Sequence, residues 1–258
     1  MNARAVSGAK PVKSRTNRPV AVATAPAEGE PKIRRLAMTL RRHWLWIVAN
    51  VGAAIPLLWL AWDTAMDNLT VNPIDDFTER TGTATIILLL LTLAVTPIQT
   101  ITGWRQVGTV RKSLGLWTFA YVTLHLLVFV GLDYAFSLRY ILMDGLPQKP
   151  YIVVGFLAFL ILLPLAITST RGWMKRLGRN WKRLHRLVYV AGILGVIHYL
   201  WVAKVVWGEP LQYAVVLTLL LAARIPWVRA RLTNLRRRLP WVRAPARPQS
   251  QPARAREV

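Results

Sequence analysis

The residues best suited to chemistry in this chain are three of its four histidines, because each lies in or beside a long apolar stretch: His125, His185 and His198. His185 and His198 flank one such stretch and stand thirteen residues apart. An imidazole inside a membrane is costly to leave without a partner, so an intramembrane histidine marks a candidate functional site. Neutral imidazole is the commonest metal ligand in proteins, and three of them favour a metal ion or haem iron.

The composition indicates a membrane protein. Of the 258 residues 54% are hydrophobic, twelve are Trp, and the mean hydropathy is +0.34, values that favour a membrane protein over a soluble one. The chain has no cysteine, which excludes disulfides, iron–sulfur clusters, c-type haem attachment and thiolate metal sites. The net charge of +23 invites a nucleic-acid interpretation, but the distribution of that charge argues against it.

Six stretches of the chain come close to the roughly 17–25 predominantly apolar residues of a membrane-spanning helix. They are residues 43–62, 83–102, 113–132, 150–170, 184–203 and 210–223. The last is the shortest, so we expect its helix to continue and Arg224 to snorkel toward the membrane surface from its end. Prolines inside three of these stretches predict kinks, which a bundle tolerates when neighbouring groups satisfy the freed carbonyls. They are Pro56, Pro97 and Pro164.

Basic segments flank the apolar core of the sequence. We predict a disordered basic tail over residues 1–40, a six-span domain over residues 41–228 and a basic C-terminal tail over residues 229–258. Paired arginines at 34–35 and 41–42 resemble a twin-arginine export signal. A cytoplasmic flank is the better interpretation, because no small-residue cleavage pattern follows and further spans do.

Charge fixes the orientation of the six spans. Both tails and the second and fourth connections together hold 30 of the 34 Lys and Arg residues, whereas the opposite side receives eight of the eleven acids. This separation is what the positive-inside rule requires of a six-span, all-α membrane protein with cytoplasmic N and C termini. The basic tails are then expected to contact anionic lipid headgroups, and nucleic acid is not an expected partner.

The same topology sets the depths of the histidines. The third and fifth spans run in the same direction, and a helix rises about 1.5 Å per residue. His198 therefore lies about 20 Å beyond His185, and His125 lies about 21 Å beyond Arg111. The two helices therefore carry residues at two matching depths. His125 can face His198 at the depth that we call the outer rung, and Arg111 can face His185 at the depth that we call the inner rung.

Axial ligation of one haem by His125 and His198 is the natural chemistry of the outer rung, because it fills both iron positions and favours electron transfer. Zinc is disfavoured, since the spans contain no Asp or Glu to complete a ligand set. Alternatives stay open: His185 can face lipid headgroups, and the other two can hydrogen-bond across the bundle. On an ideal helix His185 and His198 are about 140° apart, so a bend or over-wound turn at Gly192 or Gly195, or haems approached from different sides, is needed.

Several motifs together resemble a known family. They are Arg111-Lys-Ser-Leu-Gly-Leu-Trp117, Thr123-Leu-His125, Thr168-Ser-Thr170, Leu184-His185 and Ile197-His-Tyr-Leu-Trp201. This pattern is similar to the MsrQ (YedZ) family, the haem-binding membrane subunits of the bacterial periplasmic methionine sulfoxide reductase system. More broadly it resembles the ferric-reductase-like transmembrane domain shared with NADPH oxidases and metalloreductases. The resemblance covers about residues 44–224 and leaves out the tails.

The resemblance implies one or two b-type haems, with His125, His185 and His198 matching the family's histidines. It further implies location in the bacterial inner membrane, electrons drawn from the quinone pool, association with flavin mononucleotide (FMN), and a heterodimer with MsrP, a periplasmic molybdopterin enzyme. Oxidases of the wider superfamily have two histidines on the third helix, whereas Arg111 replaces the first one here. The inner haem can accordingly be ligated by His185 with Arg111, by His185 alone, or be absent.

Two other functions fit part of the pattern. A ferric or metal reductase would have a similar bundle, but the chain has no room for its own flavin and nicotinamide domain. A proton-coupled transporter would use the histidines as a relay. The sequence disfavours it, because the spans contain no carboxylate and the two halves of the chain show no repeat.

Overall fold

The structure, a computed structural model, describes residues 32–203 and 207–238. Most of the predicted N-terminal tail, the end of the predicted C-terminal tail and Lys204 lie outside these residues. The chain divides into two units, Met1–Arg42 and His43–Val258. All the packing described below belongs to the second unit.

Every regular element within the described residues is helical, which confirms the all-α prediction. The α-helices are α1 (Lys32–Ala65), α2 (Pro73–Thr102), α3 (Arg111–Val128), α4 (Leu138–Tyr140), α5 (Leu146–Gln148), α6 (Tyr151–Ile167), α7 (Arg171–Leu177), α8 (Arg179–Leu184), α9 (Val188–Val202), α10 (Glu209–Ala222) and α11 (Pro226–Arg238). Short 3₁₀ turns occupy Arg105–Thr109 and His185–Leu187. Wider π-helical turns occupy Phe129–Asp133 and Ile141–Gly145.

Within residues 32–203 and 207–238, four helical segments are long and apolar enough to cross a membrane, and the number rises to six if each of two bent helix pairs counts as one span. The bent pairs are α6 with α7, which meet at 95°, and α10 with α11, which meet at 81°. The chain is therefore a membrane protein built from several apolar helices. The six-span count and the cytoplasmic ends stay predictions.

Helix α2 is the centre of the bundle. It begins with Pro73 in its first turn and ends at Gly103, whose φ of 73° is a left-handed conformation that glycine adopts without strain. One side of α2 packs against α1 and α3 through residues such as Ala84 and Leu88. Another side packs against α9 and α10 through Leu90 and Leu93. A helix that is apolar all round belongs in such a buried position.

A tyrosine from α3 enters the backbone of α1 beside Pro56. The amide of Leu57 donates to the Tyr121 hydroxyl at 3.0 Å, and this hydroxyl donates to the carbonyl of Ala53 at 2.8 Å. Leu57 and Ala53 are an i, i−4 pair, so the hydroxyl replaces their direct helical bond. This insertion fixes α3 against α1 beside Pro56.

The prediction that Arg224 snorkels outward is wrong. Helix α10 ends at Ala222, and the Arg224 side chain turns into the bundle. Its Nη2 donates to the carbonyl of Leu93 and its Nη1 donates to the Tyr189 hydroxyl, each at 2.6 Å. Pro97 has no N–H to offer the Leu93 carbonyl four residues earlier, so this carbonyl needs another donor. Arg224 supplies it, and that interaction outweighs hydration at the surface.

The Tyr121 hydroxyl gives the first prediction. Tyr121→Phe leaves the amide of Leu57 and the carbonyl of Ala53 without a partner, so we expect about 1–2 kcal/mol less stability. A denaturation titration of the purified protein in detergent measures this loss. Tyr140→Phe is the matched control, because the Tyr140 side chain is 65% exposed. Equal midpoints for the two variants would contradict the bridging role.

Candidate functional site

His125 is anchored to α2 through one edge of its ring. It lies on α3, and its Nδ1 is 3.0 Å from the backbone carbonyl of Thr78. A carbonyl only accepts hydrogen bonds, so Nδ1 carries the proton and Nε2 keeps a free lone pair. The same edge faces Gly82, where a Cβ would lie 3.2 Å from Cε1 of the histidine. The small residue thus allows α2 to approach the ring closely.

His198 is anchored to α6 in the same way. It lies on α9, and its Nδ1 is 2.8 Å from the backbone carbonyl of Tyr151. Nδ1 is again the protonated nitrogen, and Nε2 keeps its lone pair. A Cβ at Gly155 would lie 2.7 Å from this Nδ1, so only glycine leaves room for the ring. The Tyr151 ring meets the imidazole edge-on, with 5.9 Å between their centroids.

The structure brings these two histidines together. Their ring centroids are 6.2 Å apart and their planes are inclined at 84°. Neither Nε2 has a hydrogen-bond partner among the described residues. Within that part of the chain, α3 packs closely on α2 and α9 packs closely on α6. Helices α3 and α9 are not closely packed against each other there. The histidines therefore face each other across a gap between helices.

This arrangement fits a haem iron held by two imidazoles. A bond from a metal to an imidazole nitrogen is about 2 Å long, so rings on opposite sides of one metal have their centroids about 6 Å apart. The donor set is also suitable, because each ring presents a lone pair on Nε2 while its Nδ1–H is held by a backbone carbonyl. The ring spacing of His125 and His198 and their carbonyl-bound Nδ1 atoms would therefore suit two ligands of one haem iron.

His185 lies at the other end of the same apolar stretch, in a different environment. Its ring stacks on Trp181 with 4.0 Å between centroids, and its Nδ1 is 3.2 Å from the Trp181 carbonyl. Nε2 is 3.5 Å from the hydroxyl oxygen of Ser169, whose hydrogen goes to the carbonyl of Leu165 at 2.7 Å. His185 is half-buried, and its ring is also within hydrogen-bonding reach of the backbone of Leu165.

Arg111, the predicted partner of His185, is hydrogen-bonded to a different residue in the described part of the chain. Its Nη2 donates to the side chain of Gln99 at 3.4 Å in an exposed position. No hydrogen bond or ring contact connects it to His185 within the described residues. Within the described residues the outer pair of histidines is therefore in ring contact, whereas Arg111 and His185 are bonded to other groups.

The over-wound turn expected between His185 and His198 is present, but at a different place. The 3₁₀ turn covers His185–Leu187, whereas Gly192 and Gly195 lie within the regular helix α9. A 3₁₀ turn has 3.0 residues per turn, which adds about 20° per residue and reduces the separation of the two histidines from about 140° to about 80°. The rings thus leave the helix in different directions.

Four residues of the outer site were absent from the sequence-based prediction: Thr78, Gly82, Tyr151 and Gly155. Two of them act through backbone carbonyls, which no side-chain pattern reveals. The glycines carry a usable signal, because a glycine inside an apolar helix often marks a close approach of another group. Both lie within spans that the sequence predicts or at their edge.

Comparisons with known proteins agree with this geometry. The sequence profile of the family described as "Ferric reductase like transmembrane component" matches residues 81–196. This range includes His125 and His185 and ends two residues before His198.

Curated relatives extend over more of the chain. A protein of Xanthomonas axonopodis pv. citri is 45% identical over 181 residues, which are 69% of this chain and 82% of the relative. A protein of Rhodospirillum rubrum is 44% identical over 187 residues, which are 72% of this chain and 89% of the relative. Both are named protein-methionine-sulfoxide reductase heme-binding subunit MsrQ. With this identity over most of the relatives' length, the chain belongs to the MsrQ family of heme-binding subunits, within the ferric-reductase-like membrane proteins.

Proposed function

We propose that this chain is an electron-transfer subunit that holds haem b between His125 and His198 and serves a methionine sulfoxide reductase. The observation that carries the proposal is the pair of imidazoles with centroids 6.2 Å apart, each fixed at Nδ1 by a carbonyl. The relatives' printed names, which describe heme-binding subunits of a protein-methionine-sulfoxide reductase, support the haem and the reductase system.

Bound haem supplies a one-electron couple whose potential depends on its axial ligands and its surroundings. The chain's own residues give that group its environment. The carbonyls of Thr78 and Tyr151 hold each imidazole in one tautomer and one orientation. His125 and His198 would together hold the haem iron and leave it no place for a substrate, which suits electron transfer.

We also propose that any inner haem is ligated by His185 without Arg111. The support comes from His185, whose Nε2 is bound to the Ser169 hydroxyl only through a long contact of 3.5 Å. Arg111 is turned toward Gln99. FMN association stays a prediction of the family resemblance.

The direction of electron flow follows from the predicted topology. We propose six spans in the bacterial inner membrane with cytoplasmic ends, electrons entering from the quinone pool, and a periplasmic MsrP subunit as acceptor. In this orientation the His125–His198 pair lies toward the periplasmic side. Exposed carboxylates such as Glu79 and Asp133 lie on the same side and could face a basic surface of the partner.

Not every acid on that side is available for docking. The Asp76 carboxylate accepts from the amide of Thr70 at 2.6 Å, and that of Asp75 accepts from the Asn72 side chain at 2.8 Å. Exchanging these two acids for Lys would therefore disturb the loop before α2 as well as any docking surface. Glu79 is the better position for testing partner binding.

A ferric or metal reductase is the nearest alternative, because the matching family profile describes a ferric-reductase-like component. Reconstitution separates the two functions. The reduced chain should pass electrons to a periplasmic molybdopterin methionine sulfoxide reductase faster than to a ferric chelate. Faster reduction of the chelate, with no transfer to the enzyme, would favour the alternative.

Removing one ligand should remove the outer haem. His198→Ala deletes an axial imidazole, so we expect about one haem fewer per chain while the bundle still inserts. The ratio of haem to protein in purified membranes measures this. His43→Ala is the control, because His43 is exposed on α1. An unchanged ratio in His198→Ala would show that this residue is not a ligand.

A methyl group behind the ligand should act almost as strongly. In Gly155→Ala the new Cβ lies 2.7 Å from Nδ1 of His198, too close to coexist with the present ring position. We expect a several-fold loss of haem, or a shifted absorption spectrum, without loss of the protein from the membrane. Gly195→Ala is the control on α9, since no atom lies within 4 Å of the Cβ there. Equal spectra for both variants would contradict the tight seating of His198.

A further inference from the structure

Helix α11 has the character of a helix that lies in a membrane surface. It turns away from α10 by 81° and packs against α2. Trp227 and Ile225, which lies just before the helix, are exposed, and the sequence of the helix is rich in arginine. Basic helices with exposed aromatic and aliphatic side chains are typical of the interface between headgroups and acyl chains.

An open cavity of about 420 Å³ lies at the start of this helix. It is lined by Arg224, Pro226, Arg229, Ala230, Thr233 and Asn234. The sequence has no acidic residue between Glu209 and Glu257. The two arginines of the cavity therefore have no carboxylate on their own segment that could neutralise them.

Arg224 is a fixed donor at the base of the cavity. Its guanidinium is held by Leu93 and Tyr189 and lies 4.7 Å from the centroid of the Tyr189 ring. Its Nε is buried and has no hydrogen-bond acceptor among the described residues. Nη1 and Nη2 each carry a second N–H besides the one bound to Tyr189 or Leu93, and these hydrogens can donate to an oxygen ligand in the cavity.

Two further donors in the cavity are unused. The side chains of Arg229 and Asn234 make no hydrogen bond or ion pair with other described residues. Thr233 is different, because its hydroxyl donates to the carbonyl of Arg229 at 2.9 Å. Two guanidinium groups and an amide around one space suit a ligand with several anionic oxygens, and a phosphate group meets this need.

We propose that the cavity between α10 and α11 binds the phosphate of an anionic phospholipid headgroup. A lipid is favoured over a free phosphate because Ile225 and Trp227 expose apolar surface beside the cavity, where acyl chains would pack. The positive charge of this segment also favours an anionic headgroup over a zwitterionic one. This proposal does not depend on the haem or on the partner enzyme.

The test is lipid binding by the purified full-length protein. Native mass spectrometry from mixed micelles would follow the binding of phosphatidylglycerol and of phosphatidylcholine to the unchanged chain, to Arg229→Gln and to Arg231→Gln. Arg231 lies on the same helix and stacks at 4.2 Å on Trp227, but does not line the cavity. Arg231→Gln removes the same charge as Arg229→Gln and is therefore the matched control. A thermal denaturation curve checks that each variant is folded.

We expect the unchanged chain to bind one phosphatidylglycerol more tightly than phosphatidylcholine. Arg229→Gln should weaken the binding of phosphatidylglycerol about tenfold, because a charge-assisted hydrogen bond is lost. Arg231→Gln should change the affinity for phosphatidylglycerol less than about twofold. Equal weakening in both variants, or equal binding of the two lipids, would overturn the site. Displacement of the lipid by millimolar inorganic phosphate would assign the cavity to a soluble anion and overturn the lipid assignment.

Discussion

Two hydrogen bonds from imidazole to backbone carbonyl determine what this bundle can do. They run from Nδ1 of His125 to Thr78 and from Nδ1 of His198 to Tyr151. Each bond fixes the proton on one nitrogen and leaves the other nitrogen as a ligand. Without these bonds both rings would be free to rotate, and an apolar interior offers few other partners for them. The proposed electron-transfer site depends on this pair of contacts.

The rest of the fold can be understood as the support for these contacts. The carbonyl that holds His125 belongs to α2, the most centrally packed helix, and the one that holds His198 belongs to α6. Pro97 in α2 has no N–H and leaves the Leu93 carbonyl free, and Arg224 binds this carbonyl together with Tyr189 of α9. A single arginine thus links α2 to α9, the helix that carries His198. Polar groups satisfied inside the bundle make the arrangement of the helices specific.

Much of this architecture could be predicted from the sequence, because apolar length and histidine spacing are properties of single helices. The pairing of His125 with His198 followed from the rise per residue together with the parallel direction of the two spans, which the charge distribution predicts. The sequence could not predict where the backbone departs from an ideal helix. The 3₁₀ turn at His185–Leu187 brings the directions of His185 and His198 around the helix closer together than an ideal helix would. The inward turn of Arg224 was also missed, because it depends on a carbonyl freed by a proline on a distant helix.

The most direct test of the account is electron paramagnetic resonance of the oxidised, purified chain at low temperature. Two neutral imidazoles on one ferric haem predict a low-spin signal. The 84° between the ring planes of His125 and His198 predicts that this signal is strongly anisotropic. A purely high-spin ferric signal, or the absence of any ferric haem signal, would contradict ligation by the two histidines.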